Sequence, residues 1–203
     1  MRRLALALLL AVPLSGCIDA DLTLEFVDQT RVETAMDLKL GRELFDLTGK
    51  APQDLCKDGT ATVGADSVTC TQRSAMTLDA FIAQADRGGT DPADRIRQAA
   101  RVERLGNDRL RVTLDFAAMT AAGGPEVAQA RQMAGLLRAA LAGHSLVFRI
   151  KAPEIESTTG TLAPDGRTAE YVLPLGALLA DPPPAPFVTT LALKSCWFGF
   201  ICL

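Results

Sequence analysis

Between Ala20 and Leu40 the chain alternates in polarity. Leu22, Leu24 and Phe26 fall on one parity and Asp21, Thr23 and Glu25 on the other, the period of a half-buried strand. A polar Asp28-Gln29-Thr30 turn follows. Val32, Met36, Leu38 and Leu40 then alternate with Glu33, Asp37 and Lys39, so the pair reads as a hairpin. A short helix is expected over 41–48, a turn-rich segment between Gly49 and Cys70, and a second short helix over Met76–Gln84, with Thr77 as its cap. Ala85 to Asp94 reads as loop because it holds Gly88-Gly89 and Asp91-Pro92. A second hairpin is predicted around Gly106-Asn107-Asp108, where Leu110, Val112, Leu114 and Phe116 alternate with Arg109, Arg111, Thr113 and Asp115.

The clearest helical signal follows Gly123-Gly124-Pro125. Val127, Ala130, Ala134, Leu137 and Leu141 make one apolar stripe, proline suits the first turn, and Gly143 is the expected stop. Leu146, Phe148 and Ile150 then read as a strand. Pro164-Asp165-Gly166 turns the chain between strands at Thr158–Leu162 and Thr168–Leu173. A stiff Pro182-Pro183-Pro184 spacer leads to a last strand over Phe187–Lys194. The expected fold class is α+β: a mostly antiparallel β-sheet with one long amphipathic helix packed on a face. Alanines at 128, 130, 134 and 140 are small for a helix over a sheet; the room they leave is either closed by neighbours, the default of close packing, or occupied by an apolar ligand.

The first seventeen residues give an address. Met1-Arg2-Arg3 is basic, Leu4 to Leu14 is apolar apart from Pro13, and Leu14-Ser15-Gly16-Cys17 ends the run. This is the pattern of a secretory signal with small residues at its cleavage site. Its ending resembles the lipobox of bacterial lipoproteins, which implies that residues 1–16 are removed and that Cys17 carries the lipid. The remaining chain divides into one domain over 17–194 and an apolar tail over 195–203. By resemblance to Gram-negative sorting, Ile18 rather than Asp after the cysteine favours the outer membrane, facing the periplasm. Two or more acyl chains hold a protein firmly on a bilayer, at about 0.8 kcal/mol per buried methylene.

Charge and cysteines fit that compartment. The formal charge is −3 at pH 7, and losing Arg2 and Arg3 makes the chain more acidic, which argues against a nucleic-acid partner. Of the five cysteines, lipidation takes Cys17 and leaves Cys56, Cys70, Cys196 and Cys202 for an oxidising space. Four cysteines allow three pairings, and closeness in sequence favours Cys56–Cys70 and Cys196–Cys202. The second pair would close the 195–203 tail. The spacing and a single histidine do not suit a metal, so no metal and no cofactor are expected.

No catalytic motif emerges, and the chain is expected to be non-enzymatic. His144 and Ser145 are adjacent, and neighbours on a strand face opposite ways, which suits a nucleophile–base pair poorly. His144 instead follows the helix stop, where a cation complements the last carbonyls. Two features are candidates for membrane or ligand contact. Arg109 and Arg111 share one strand face within an arginine-rich stretch, placed to meet anionic head groups or simply water. Trp197, Phe198 and Phe200 crowd the tail, which either dips into an interface or folds back on the core.

The lipobox cysteine followed at once by the Ala20–Leu40 hairpin resembles the LppM-type domain of bacterial lipoproteins. The run Ser145–Leu173 is also similar, with its strand, Thr158-Thr159-Gly160 step, Pro-Asp-Gly turn and second strand. The resemblance implies an α+β envelope lipoprotein with a role in lipid or glycolipid binding. It transfers no functional residues, and this chain departs from the pattern in its extra cysteines and its short apolar tail. The expected function is thus a membrane-anchored envelope lipoprotein that binds lipid or glycolipid. The alternative is a structural lipoprotein that docks another envelope protein.

Overall fold

The structure, a computed structural model, describes residues 18–56, 58–86, 100–122, 129–135, 141–194, 196–197 and 201–202. β1 (Ile18–Phe26) and β2 (Arg31–Gly41) pair antiparallel from Ile18↔Leu40 to Phe26↔Val32. The turn between them is tied by Asp28, whose Oδ1 accepts the backbone N–H groups of Thr30 at 2.6 Å and Arg31 at 2.9 Å. Two short helices follow, α1 (Arg42–Leu47) and α2 (Pro52–Leu55). β3 (Thr60–Val63) and β4 (Ser67–Thr77) then add a second hairpin, with β4 paired along the whole of β2. The chain turns into α3 (Leu78–Asp86), whose start is capped by the Thr77 hydroxyl accepting from the Ala80 N–H at 3.2 Å.

β5 (Ala100–Arg104) and β6 (Arg109–Leu114) form a third hairpin, and α4 (Phe116–Ala122) follows it. β7 (Ser145–Lys151) lies parallel to β1. β8 (Glu154–Thr158), β9 (Thr161–Leu162) and β10 (Thr168–Pro174) come next, then a 3-10 turn over Leu175–Leu179 and β11 (Phe187–Ala192). Between β8 and β9 the chain crosses from one sheet to the other. Gly160 makes this possible: a Cβ there would lie 2.7 Å from the Phe187 ring and closer still to the Glu170 carbonyl oxygen. β12 (Cys196–Trp197) and β13 (Ile201–Cys202) are a separate two-stranded pair.

The main sheet has seven strands in the order β3-β4-β2-β1-β7-β10-β9, and a four-stranded sheet runs β5-β6-β11-β8. Side chains from both fill one core. Phe26, Val32, Phe148, Ile150, Ala169 and Leu173 come from the large sheet, and Leu110, Val112, Ile155, Phe187 and Leu191 from the small one. The aromatic rings mark the joint: Phe116 sits 5.6 Å from Phe148 and 5.2 Å from Tyr171, and Tyr171 stacks on Phe187 at 5.4 Å. A smaller cluster of Leu40, Phe45 and Val68 seals the Ile18 end, with Phe45 supplied by α1.

This overturns the expected α+β class. Strands make up 49% of the described residues, and no long amphipathic helix is present among them. Of the expected Val127–Leu141 helix, residues 129–132 and 134–135 are helical, while Val127 and Leu137 lie outside the described residues. Ala130 and Ala134 are half-buried and Met133 is 45% exposed, and no member of this segment joins the buried core. The physical reason is area. Ala130 and Ala134 offer little apolar surface, whereas Leu110, Val112, Phe187 and Leu191 on a second sheet bury far more against the same face. Of the small alanines expected to border a gap, Ala128 and Ala140 lie outside the described residues. Gly143 does take the left-handed conformation of a stop, at φ 84°.

Candidate functional site

The outer face of the large sheet is bare of any second layer among the described residues, and its centre is concave. Pairing puts Arg73, Ala35, Thr23, Arg149 and Glu170 in one row across β4, β2, β1, β7 and β10. The small side chains of Thr23 and Ala35 make the floor, and the long guanidinium side chains of Arg73 and Arg149 stand on either side. The groove has a volume of about 620 Å³.

On either flank of that row, like charges face each other directly across β1 and β2: Asp21↔Asp37 and Glu25↔Glu33. Such cross-strand pairs oppose folding unless cations intervene. Here they do. Arg149 reaches Asp21 from β7 and bonds Glu170 through Nε at 2.7 Å. Arg73 reaches Asp37 from β4 at 2.7 Å, and Arg31 meets Glu33 at 2.6 Å. The hydrogen bond from Arg73 holds the Asp37 carboxyl below its usual range. The Asp21 carboxylate, with Glu170, raises the Arg149 guanidinium further above its already high value. Lys151 lies in register beside Glu25 and leads into a second hollow of about 470 Å³, lined also by Asp28, Asp165 and Arg167. Backbone N–H groups of Thr30 and Arg167, respectively, lower the carboxyls of Asp28 and Asp165.

The surface is therefore a charge-balanced trough of carboxylates and guanidiniums over a small, flat floor. It suits a ligand rich in hydroxyls or bearing its own charges. Its lining holds no apolar residue larger than Ala35 and Ala75, so it offers an acyl chain little to pack against. Sequence alternation marked Asp21, Thr23, Glu25, Glu33 and Asp37 as outward-facing. It did not find the guanidiniums from β4 and β7, whose strands are brought alongside only by the sheet order. Among the described residues no group of acids, histidines and cysteines is arranged to hold a metal.

The residues singled out in the sequence lie elsewhere. Arg109 is clamped by Glu156, with its Nε 2.7 Å from one carboxylate oxygen, and Arg111 faces Glu103 at 3.8 Å. Both are matched within their own sheet, and Glu156 pushes the Arg109 guanidinium up. The helix end expected just before His144 lies largely outside the described residues; the His144 Nδ1 lies 3.1 Å from Asp19, and the same carboxylate accepts the Ser145 backbone N–H at 3.0 Å. This contact pins the start of β7 to the start of β1. Cys56 and Cys70 are disulfide-bonded, with Cα atoms 5.4 Å apart. Cys196 and Cys202 are register partners in the β12–β13 pair, as Trp197 and Ile201 are. Cys17, Phe198 and Phe200 lie outside the described residues.

No protein-family model and no curated protein matches the sequence. Among solved structures, the NMR structure of the folded domain of the Mycobacterium tuberculosis LppM protein aligns with 86% of this chain and 88% of its own, at 13% identity and a TM-score of 0.47. A likeness at that level assigns neither family nor ligand to this chain.

Proposed function

We propose that this chain is a cell-envelope lipoprotein, lipidated at Cys17, whose domain works by binding and not by catalysis. The ligand is a glycolipid, held by its sugar or charged head group in the groove floored by Thr23 and Ala35. The observation that carries the reading is the groove itself: carboxylates and guanidiniums in matched pairs, over small residues, on a sheet face open to solvent. Hydroxyl groups can both donate to carboxylates and accept from guanidiniums, so such a lining recognises a sugar without a net charge requirement. The proposal moves the ligand from the inner face of the sheet, which the second sheet fills, to the outer one.

The test has two parts. Mass spectrometry of protein isolated from the envelope should find an acylated Cys17 at the mature N-terminus, and Cys17→Ser should release the chain from membranes or leave it unprocessed. Glycolipid should co-purify with the native chain and be lost from Ala35→Trp, in which an indole fills the floor, while cooperative unfolding is retained. Equal glycolipid on a folded Ala35→Trp, or none on the native chain, overturns the assignment. A protein crosslinked across the groove in place of lipid would favour the docking alternative.

A further inference from the structure

We propose that the Ile18 end of the sandwich rests on the bilayer that holds Cys17, with the strands of the large sheet standing on end. The inference rests on the lipidation of Cys17 proposed above. Its starting point is the missing linker. β1 begins at Ile18, the residue after Cys17, and β1 lies inside the sheet with β2 on one side and β7 on the other. An anchor joined to an interior strand with no slack fixes which end of the domain meets the membrane.

Pairing identifies what else lies at that end. Val63, Val68, Leu40 and Ile18 form one row across β3, β4, β2 and β1. α1 leaves from Gly41 in the same place, tied by its Arg42 N–H to the Asp66 carbonyl at 2.9 Å and by Phe45 to Leu40 and Val68. The inner members of the row are buried. The outer ones are not: Ile18 is 38% exposed, Val63 48%, and Leu47, at the end of α1, 83%. These three aliphatic side chains are exposed at the end of the sandwich where β1 meets Cys17. The acids nearby are partly engaged, Asp19 by His144 and Asp46 by Arg42 at 2.9 Å, while Glu43 and Asp66 remain exposed. Exposed Lys39, beside Asp19, and Lys50, just past Leu47, offset these acids, so the contact is carried by the aliphatic side chains and not by net charge. At roughly 3.3 Å per residue, β1 carries the Asp28 turn about 26 Å from the bilayer. The groove then opens sideways, above the membrane plane, where a head group still anchored in the same leaflet can reach it.

The experiment uses the acylated full chain in vesicles of phosphatidylcholine with brominated acyl chains, which quench tryptophan on contact. Trp197, the one native tryptophan, is first replaced by Phe. Leu47→Trp should then lose most of its emission and shift to the blue. Val27→Trp, beside the far turn and 40% exposed, should keep its emission unchanged. Adding phosphatidylglycerol should alter neither. Equal quenching at the two positions, or quenching at Val27→Trp alone, overturns the orientation. The intact mass separates the two claims: an acylated protein without quenching at Leu47→Trp refutes the resting end only, whereas an unacylated mature chain refutes the anchor and the orientation with it.

Discussion

At the scale of single residues, the outer sheet face is governed by how like charges are separated. Asp37 faces Asp21 across the hairpin, and Arg73 relieves the repulsion from the neighbouring strand. Because Asp37 has a lowered pKa in the folded chain, its contribution is present above the unfolded value near 3.8 and is lost as pH falls through the lower folded value. Both partners are solvent-exposed, so Arg73→Ala should cost only about 0.2–1 kcal/mol at neutral pH. In urea titrations the difference from the native chain should close as pH falls below the lowered folded value, where the carboxylate is protonated in both states. A gap of the same size at both pH values would mean that Arg73 acts through packing of its stem. Gly160 is a residue-scale constraint of another kind. Gly160→Ala drives a methyl into the Glu170 carbonyl and the Phe187 ring, both fixed by the core, and should cost about 1–3 kcal/mol. Gly176→Ala, with open space at its Cβ, is the control and should leave the urea midpoint almost unmoved.

At the scale of elements, the β1–β2 and β5–β6 hairpins followed from alternation, whereas β4 and the long helix did not. The β1–β2 register places Leu22, Leu24 and Phe26 on the inner face, as their parity requires, and β5–β6 behaves likewise. β4 was hidden because its inner-face residues read Val68, Cys70, Gln72, Ser74, Met76. The centre of that face is polar, so alternation fades in the middle of an eleven-residue strand. What holds β4 is pairing with β2 along its whole length, and pairing is invisible in composition. The opposite error arose at the long helix. A regular stripe was present in sequence, but its small residues and flanking glycines could not compete with a second sheet for the same apolar face. The Cys56–Cys70 disulfide fastens the β3 and α2 region to β4, closing a loop across a sequence separation of 14. In the chain-entropy description a loop of that size contributes about 3 kcal/mol. Cys56→Ser with Cys70→Ser should lower stability by about 2–4 kcal/mol in urea unfolding, and amides of Thr60–Val63 should lose exchange protection before those of β1.

At the scale of the whole molecule, the two ends of the sandwich differ in what they offer. One carries the junction with Cys17. The other carries the Asp28 turn, to which Asp108 is joined by Gln29 and by Lys194 at 3.5 Å. Lys194 is the last described residue before the tail, so the tail departs from the end remote from the anchor. Three residues of chain reach at most about 11 Å. Trp197 therefore stays well above a bilayer contacted by Ile18 and Leu47. With Cys17 acylated as proposed, brominated acyl chains should leave Trp197 emission unquenched. Strong quenching would show that the tail reaches the membrane and that the domain lies flat. The same geometry bears on Arg109 and Arg111, which belong to the remote end and are already matched to Glu156 and Glu103.

The sequence by itself carried the alternation of the β1–β2 and β5–β6 hairpins, the turn residues and the cysteine pair that closes a short loop. These are local: each depends on spacing within one element or across one turn. The tertiary structure decided that β7 lies parallel to β1, that β4 joins β2, and that a second sheet covers the inner face in place of a helix. The groove exists only as a result. Its floor comes from β1 and β2, but its guanidiniums arrive from β4 and β7, which lie tens of residues away in the chain. Side chains that meet across a sheet are set by strand order, and strand order is chosen by which arrangement buries the most apolar area. That choice is a property of the whole fold, and no stretch of sequence carries it alone.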